Sequence, residues 1–102
     1  MVEELSKNGF NDFIKSGVCV VDFFAEWCMP CVMLSPIIEE LADKIKGVNI
    51  GKVNIDDNKE TADKFDVMSV PTLIVFKDGK EIDRMVGVLP AEQLEGKLRS
   101  FL

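Results

Sequence analysis

The chain has 102 residues, 47% of them hydrophobic, with 12 basic and 18 acidic side chains and a net charge of −6. That length suits a single domain over residues 1–102, and the apolar runs at 18–21 and 73–76 are far too short to span a bilayer. Basic residues are not clustered as a nucleic-acid surface requires, so neither nucleic acid nor membrane is an expected partner.

Residues 2–6 (VEELS) read as a short edge strand. Phe10, Phe13 and Ile14 fall at helical spacing over residues 8–15, with Gly17 as a stop. Residues 18–24 (VCVVDFF) are apolar on both faces, as in a central strand covered on each side. The spacing of Leu34, Ile37, Ile38, Leu41, Ala42 and Ile45 predicts a helix over 30–46, closed by Gly47 and kinked at Pro36. A second apolar strand covers 48–55 with Lys52 in its middle, and Asp57 or Asn58 can cap a short helix that runs to Phe65.

Residues 72–76 and 81–86 flank Asp78-Gly79, a strong hairpin signal. Residues 90–102 close the chain as a helix, with Pro90 in its first turn and Leu94, Leu98 and Phe101 or Leu102 facing inward. The order (β)αβαβαββα implies an α/β fold: a mixed sheet of four to five strands flanked by helices on both faces.

Three cysteines and no histidine narrow the chemistry. A Ser–His or Cys–His nucleophile pair cannot exist. An odd, small cysteine count argues against a disulfide-stapled secreted scaffold. Cys19 reads as a small core residue of the central strand. Cys28-Met29-Pro30-Cys31 lies at a strand-to-helix junction. Free amides and the positive dipole end of a helix start favour the thiolate of Cys28, while Cys31, one turn in, is expected to be more shielded. Two residues wound as a helical turn bring the sulfurs within bridging distance, and Pro30 stiffens the turn. Alone, C-x-x-C also fits half a zinc site or two buried thiols, but a second ligand pair is missing, and no metal is expected. The placement therefore predicts a reversible dithiol–disulfide switch, with Cys28 as nucleophile and Cys31 as resolving thiol.

Asp22 interrupts the central strand. A buried carboxylate resists ionisation, and two pK units correspond to roughly 2.7 kcal/mol. The alternative is an Asp in a bulge, or one reaching solvent at a strand edge. Val70, which precedes Pro71, is expected to be extended.

Taken together, Val21-Asp22-Phe23, Ala25-Glu26-Trp27-Cys28, Pro30-Cys31, Pro36, Lys52-Val53-Asn54-Ile55-Asp56, Val70-Pro71-Thr72, Lys77-Asp78-Gly79 and Gly87 resemble the thioredoxin family over nearly the whole chain. The resemblance implies a five-stranded mixed sheet and reduction of disulfides in protein substrates, without a bound cofactor. A thioredoxin reductase, flavin/NADPH or ferredoxin-linked, would recharge the pair. It further implies that Asp22 is the general base for Cys31 through a water, that Lys52 tunes Asp22, and that Val70-Pro71 is a cis-proline loop facing the thiols. Trp27, Met29, Pro30, Val70, Pro71, Gly87 and Val88 would then form a substrate-docking rim, with Met33 and Met68 as packing residues near the site.

Met29 departs from the family, which has glycine there. A β-carbon requires a helical turn at that position, and the change leaves open a disulfide oxidase or isomerase, or a glutaredoxin-like specialised protein. Glutaredoxins carry tyrosine in this motif, however, and the chain has none. The N-terminus lacks the pattern of a secretion signal. A monomer in the cytoplasm is expected, although a mature exported protein would look the same.

Overall fold

The computed structural model describes residues 2–102. The elements in chain order are β1 (Glu3–Glu4), α1 (Lys7–Ile14), β2 (Val18–Phe24), α2 (Met29–Lys44), β3 (Val48–Asn54), α3 (Lys59–Lys64), β4 (Thr72–Lys77), β5 (Lys80–Val86) and α4 (Ala91–Arg99). They form one five-stranded sheet in the order β1-β3-β2-β4-β5. β1, β3 and β2 run parallel, while β4 is antiparallel to β2 and to β5. None of the described helices is long and apolar enough to cross a membrane.

Alternation along β2 explains the layering, because successive side chains point to opposite faces. Val18 and Val20 join Leu34, Ile38, Leu41 and Ile45 from the α2 stretch and Leu94 and Leu98 of α4 in one core cluster. Cys19, Val21 and Phe23 join Phe10 and Ile14 of α1 in a second cluster on the other face. There the rings of Phe10, Phe23, Phe65 and Phe76 lie 5.3–6.4 Å apart. Such pairs contribute about 0.5–1.5 kcal/mol each beyond their buried area. By the same alternation Asp22 points to the α2 side.

The boundaries shift from the sequence reading for local reasons. β1 has two residues rather than five, because Ser6 already accepts the first amide bonds of α1. α2 ends at Lys44 rather than Lys46: Ile45 is extended (ψ 113°) and turns its buried side chain into the core. Asn58 occupies the N-cap position of α3, but its amide donates to the Asn54 carbonyl rather than capping the helix. Pro90 sits extended just before α4, not in its first turn, and α4 stops at Arg99. Phe101 is partly buried against the core, while Leu102 is exposed. The Asp78-Gly79 turn has positive φ at both residues (51° and 88°), as a type I′ hairpin requires.

Gly51 fixes how α1 approaches the sheet. A Cβ there would lie 2.8 Å from Leu5 Cδ1 and 3.1 Å from Phe13 Cζ. Gly51→Ala is therefore expected to lower stability by about 1–3 kcal/mol, read as a lower urea midpoint at unchanged slope.

Candidate functional site

β2 ends at Phe24, and four residues later the chain enters α2 with Cys28 as its N-cap (φ −93°, ψ 108°). The backbone amide of Cys31 donates to Cys28 Sγ at 3.2 Å. Met29 and Pro30 form the first helical residues, so the β-carbon of Met29 meets a helical backbone. This turn holds the two Cα atoms 5.3 Å apart, and the sulfurs are joined as a disulfide.

The greater shielding expected of Cys31 is not found. Cys28 and Cys31 are 5% and 4% exposed, because the bridge packs both under Ala25, with Phe24, Ile55 and Val70 against them. Cys19 is a free, buried thiol 3.2 Å from the Phe13 carbonyl oxygen, and burial raises its pKa.

Behind the disulfide lies a pocket of about 250 Å³ lined by Asp22, Cys31, Lys52, Ser35, Glu26 and Val32, among others. Asp22 is 4% exposed and its Oδ1 has no hydrogen-bond partner. Burial pushes its carboxyl up to about 7, with the Lys52 charge pulling the other way. The strand register explains the pairing: Asp22 and Lys52 are direct neighbours across β2 and β3, and parallel neighbours share a face. The Lys52 ammonium lies 5.5 Å from the Phe24 ring centroid. Asp22 is thus neither in a bulge nor at an exposed edge.

On the opposite side of the sulfurs, the Val70–Pro71 peptide bond is cis. The Val70 carbonyl oxygen lies 3.7 Å from Cys28 Sγ. Among the described residues Val70 makes no backbone–backbone hydrogen bond. The amide of Gly87, at φ +89°, donates to the Pro71 carbonyl at 2.9 Å, bringing the end of β5 beside the loop. Trp27, Met29 and Val88 are exposed around it, and the Trp27 indole N–H donates to Asp56 at 2.9 Å.

Met33 and Met68 are not packing residues. They are 64% and 91% exposed, as is Val32 by more than half. Met33 lies one helical turn from Met29, on the outer face away from Leu34 and Ile38. The sequence reading assigned Ser35, Glu26 and Asp56 no site role: Glu26 and Ser35 flank the cysteines in the chain, while Asp56 reaches Trp27 only through the fold.

The comparisons agree with this geometry. The family model described as Thioredoxin matches residues 1–100. A thioredoxin of Chlamydia caviae is 52% identical over 94 residues, 92% of each chain. One from Staphylococcus saprophyticus is 51% identical over 102 residues, covering 99% of this chain and 98% of its own. Among solved structures, a mutant thioredoxin from Halobacterium salinarum superposes with a TM-score of 0.89 at 32% identity, over 97% of this chain and 90% of that one. A thioredoxin of Malassezia sympodialis gives 0.91 at 30% identity, over 99% and 90%. With a bridged Cys-x-x-C pair at the head of α2, the chain belongs to the thioredoxin family of thiol–disulfide oxidoreductases, which reduce disulfides of protein substrates and are recharged by a thioredoxin reductase.

Proposed function

We propose that Cys28 is the attacking sulfur, Cys31 the resolving one and Asp22 the base that frees it. In the reduced protein the Cys31 amide aimed at Cys28 Sγ favours a thiolate there, as does the head of the α2 dipole. That thiolate attacks one sulfur of a substrate disulfide, the S–S bond breaks, and the first substrate thiolate leaves. Asp22 then takes the Cys31 proton through water in the pocket they share. Cys31 attacks Cys28 Sγ, expels the second substrate sulfur and closes the Cys28–Cys31 bridge. The observation that carries this reading is the buried, unpaired Asp22 oxygen on the Cys31 side of the disulfide.

Lys52, beside Asp22 in the register, moderates the carboxylate charge without quenching it. Substrate docks as an extended segment along the unpaired backbone of Val70. Trp27, Met29, Pro30, Pro71, Gly87 and Val88 form the rim around it. The protein works as a single-domain monomer, a reading supported by charged residues Lys80, Glu81, Asp83 and Arg84 along the β5 edge. A reducing cytoplasm suits a carrier that must regenerate its dithiol. Its donor is a thioredoxin reductase of the flavin/NADPH or the ferredoxin-linked type.

Redox titration of the Cys28–Cys31 pair against glutathione is expected to give a potential of about −270 mV, in the region of a reductant. A value of about −180 mV would assign the protein to disulfide oxidation or isomerisation instead.

A further inference from the structure

We propose that Arg84 of β5 is a positioning residue for disulfide exchange, anchoring the start of the loop on which Val70 is presented. This rests on the reading of Val70 as the docking strand.

The loop begins where α3 ends. Phe65 caps that helix, Asp66 takes a left-handed conformation (φ 53°), and two amides turn back. Val67 donates to the Ala62 carbonyl at 3.0 Å and Asp66 to the Asp63 carbonyl at 3.1 Å. This is a Schellman turn with aspartate where glycine is usual. The turn leaves the Phe65 and Asp66 carbonyls facing β5. Arg84 takes both: Nη2 donates to Phe65 O at 2.6 Å and Nη1 to Asp66 O at 3.3 Å. Glu81 holds the guanidinium in place by accepting from Nε and Nη2, each at 2.9 Å. Charge-assisted forks of this kind fix direction as well as distance, and a lysine could not reproduce them.

The loop is therefore fastened at both ends, to β5 by Arg84 at residues 65 and 66 and to the residue just after β5 by the Gly87 amide at Pro71. Between them Met68 is 91% exposed, the Thr72 hydroxyl of β4 donates to the Ser69 carbonyl at 2.7 Å, and Val70 packs against the Cys28–Cys31 cluster. The two end fastenings act with these contacts to place the Val70 carbonyl 3.7 Å from Cys28 Sγ. Substrate backbone laid along Val70 would feel the loss of one. A small disulfide with no peptide backbone would not.

The test compares Arg84→Met, which keeps the apolar stem, with the parent protein at a temperature where both are folded. KM for insulin disulfide is expected to rise about five- to tenfold with kcat within twofold. Turnover of bis(2-hydroxyethyl) disulfide and the alkylation rate of Cys28 should stay at parent values. Arg84→Lys and Glu81→Gln, milder changes that serve if Arg84→Met does not fold, should give intermediate rises. An insulin KM within twofold of parent in the variants that fold overturns the anchor, and so does an equal loss with both disulfides. Val70→Gly separates the two readings. If it raises KM for insulin while the Arg84 and Glu81 variants do not, the anchor alone fails. If it leaves KM unchanged, docking along Val70 fails and the anchor with it.

Discussion

Cys28→Ser is expected to abolish insulin reduction, by roughly a thousandfold or more, while the fold survives. A serine hydroxyl is not ionised at neutral pH and cannot form the mixed disulfide that splits the reaction in two. Serine is close to cysteine in size and can still accept the Cys31 amide as an N-cap, so the head of α2 should persist. Cys31→Ser separates the roles. It leaves the attacking sulfur intact and removes the resolving one, so a covalent substrate adduct should accumulate on Cys28 and be visible by mass. If Cys31→Ser turns over insulin at the parent rate, or if Cys28→Ser does, the assignment of roles is wrong. Circular dichroism on both variants distinguishes lost chemistry from a lost fold.

The parts of the fold legible in the sequence were those with a period. The α2 stripe of Leu34, Ile38, Leu41 and Ile45, the doubly covered β2 and the Asp78-Gly79 turn each follow from spacing or from one turn's φ requirement. The exposure of Met33 was also readable: it lies off that stripe, one turn from Met29. Met68 carried no such signal, because the segment before Pro71 has no periodicity. Asn58 looked like a cap by residue type, yet the Asn54 carbonyl competed for its amide. Such local side-chain bonds follow from chain direction, which composition does not set.

The site divides in the same way. The Cys28–Cys31 turn is local, and its bridging followed from two residues of helix. That Asp22 shares a face with Lys52 depends on the register of β2 with β3, thirty residues apart in sequence. The reach of Arg84 to residues 65 and 66 depends on the bulged pairing of β4 with β5, where Val75 opposes Asp83 and Phe76 opposes Glu81. Neither register can be read from a single strand.

Asp22→Asn is expected to raise stability and slow catalysis together, with opposite consequences from one carboxyl. The folded protein holds the Asp22 proton up to about 7, against an ordinary value of 3.8. Below about pH 4 both folded and unfolded chains carry that proton, and the residue has no pH-dependent effect. Between about 4 and 7 only the folded chain binds it, so stability falls as pH rises. Above about 7 the penalty levels off at roughly 4 kcal/mol, since each pK unit is about 1.4 kcal/mol. Asparagine removes that titration. Its amide still needs hydrogen bonds in the pocket, so the gain should reach only about 2–3 kcal/mol.

Urea unfolding of the oxidised proteins should therefore show near-equal midpoints at about pH 4 and a clear advantage for Asp22→Asn at about pH 8. In exchange, resolution of the mixed disulfide by Cys31 should slow by roughly a hundredfold, the lower range of general-base effects. Its inflection near the Asp22 pKa should vanish, while alkylation of Cys28 stays unchanged. A stability difference that is the same at both pH values would remove the buried carboxylate as its source. A variant that resolves its mixed disulfide at the parent rate would show that the Cys31 proton leaves by another route.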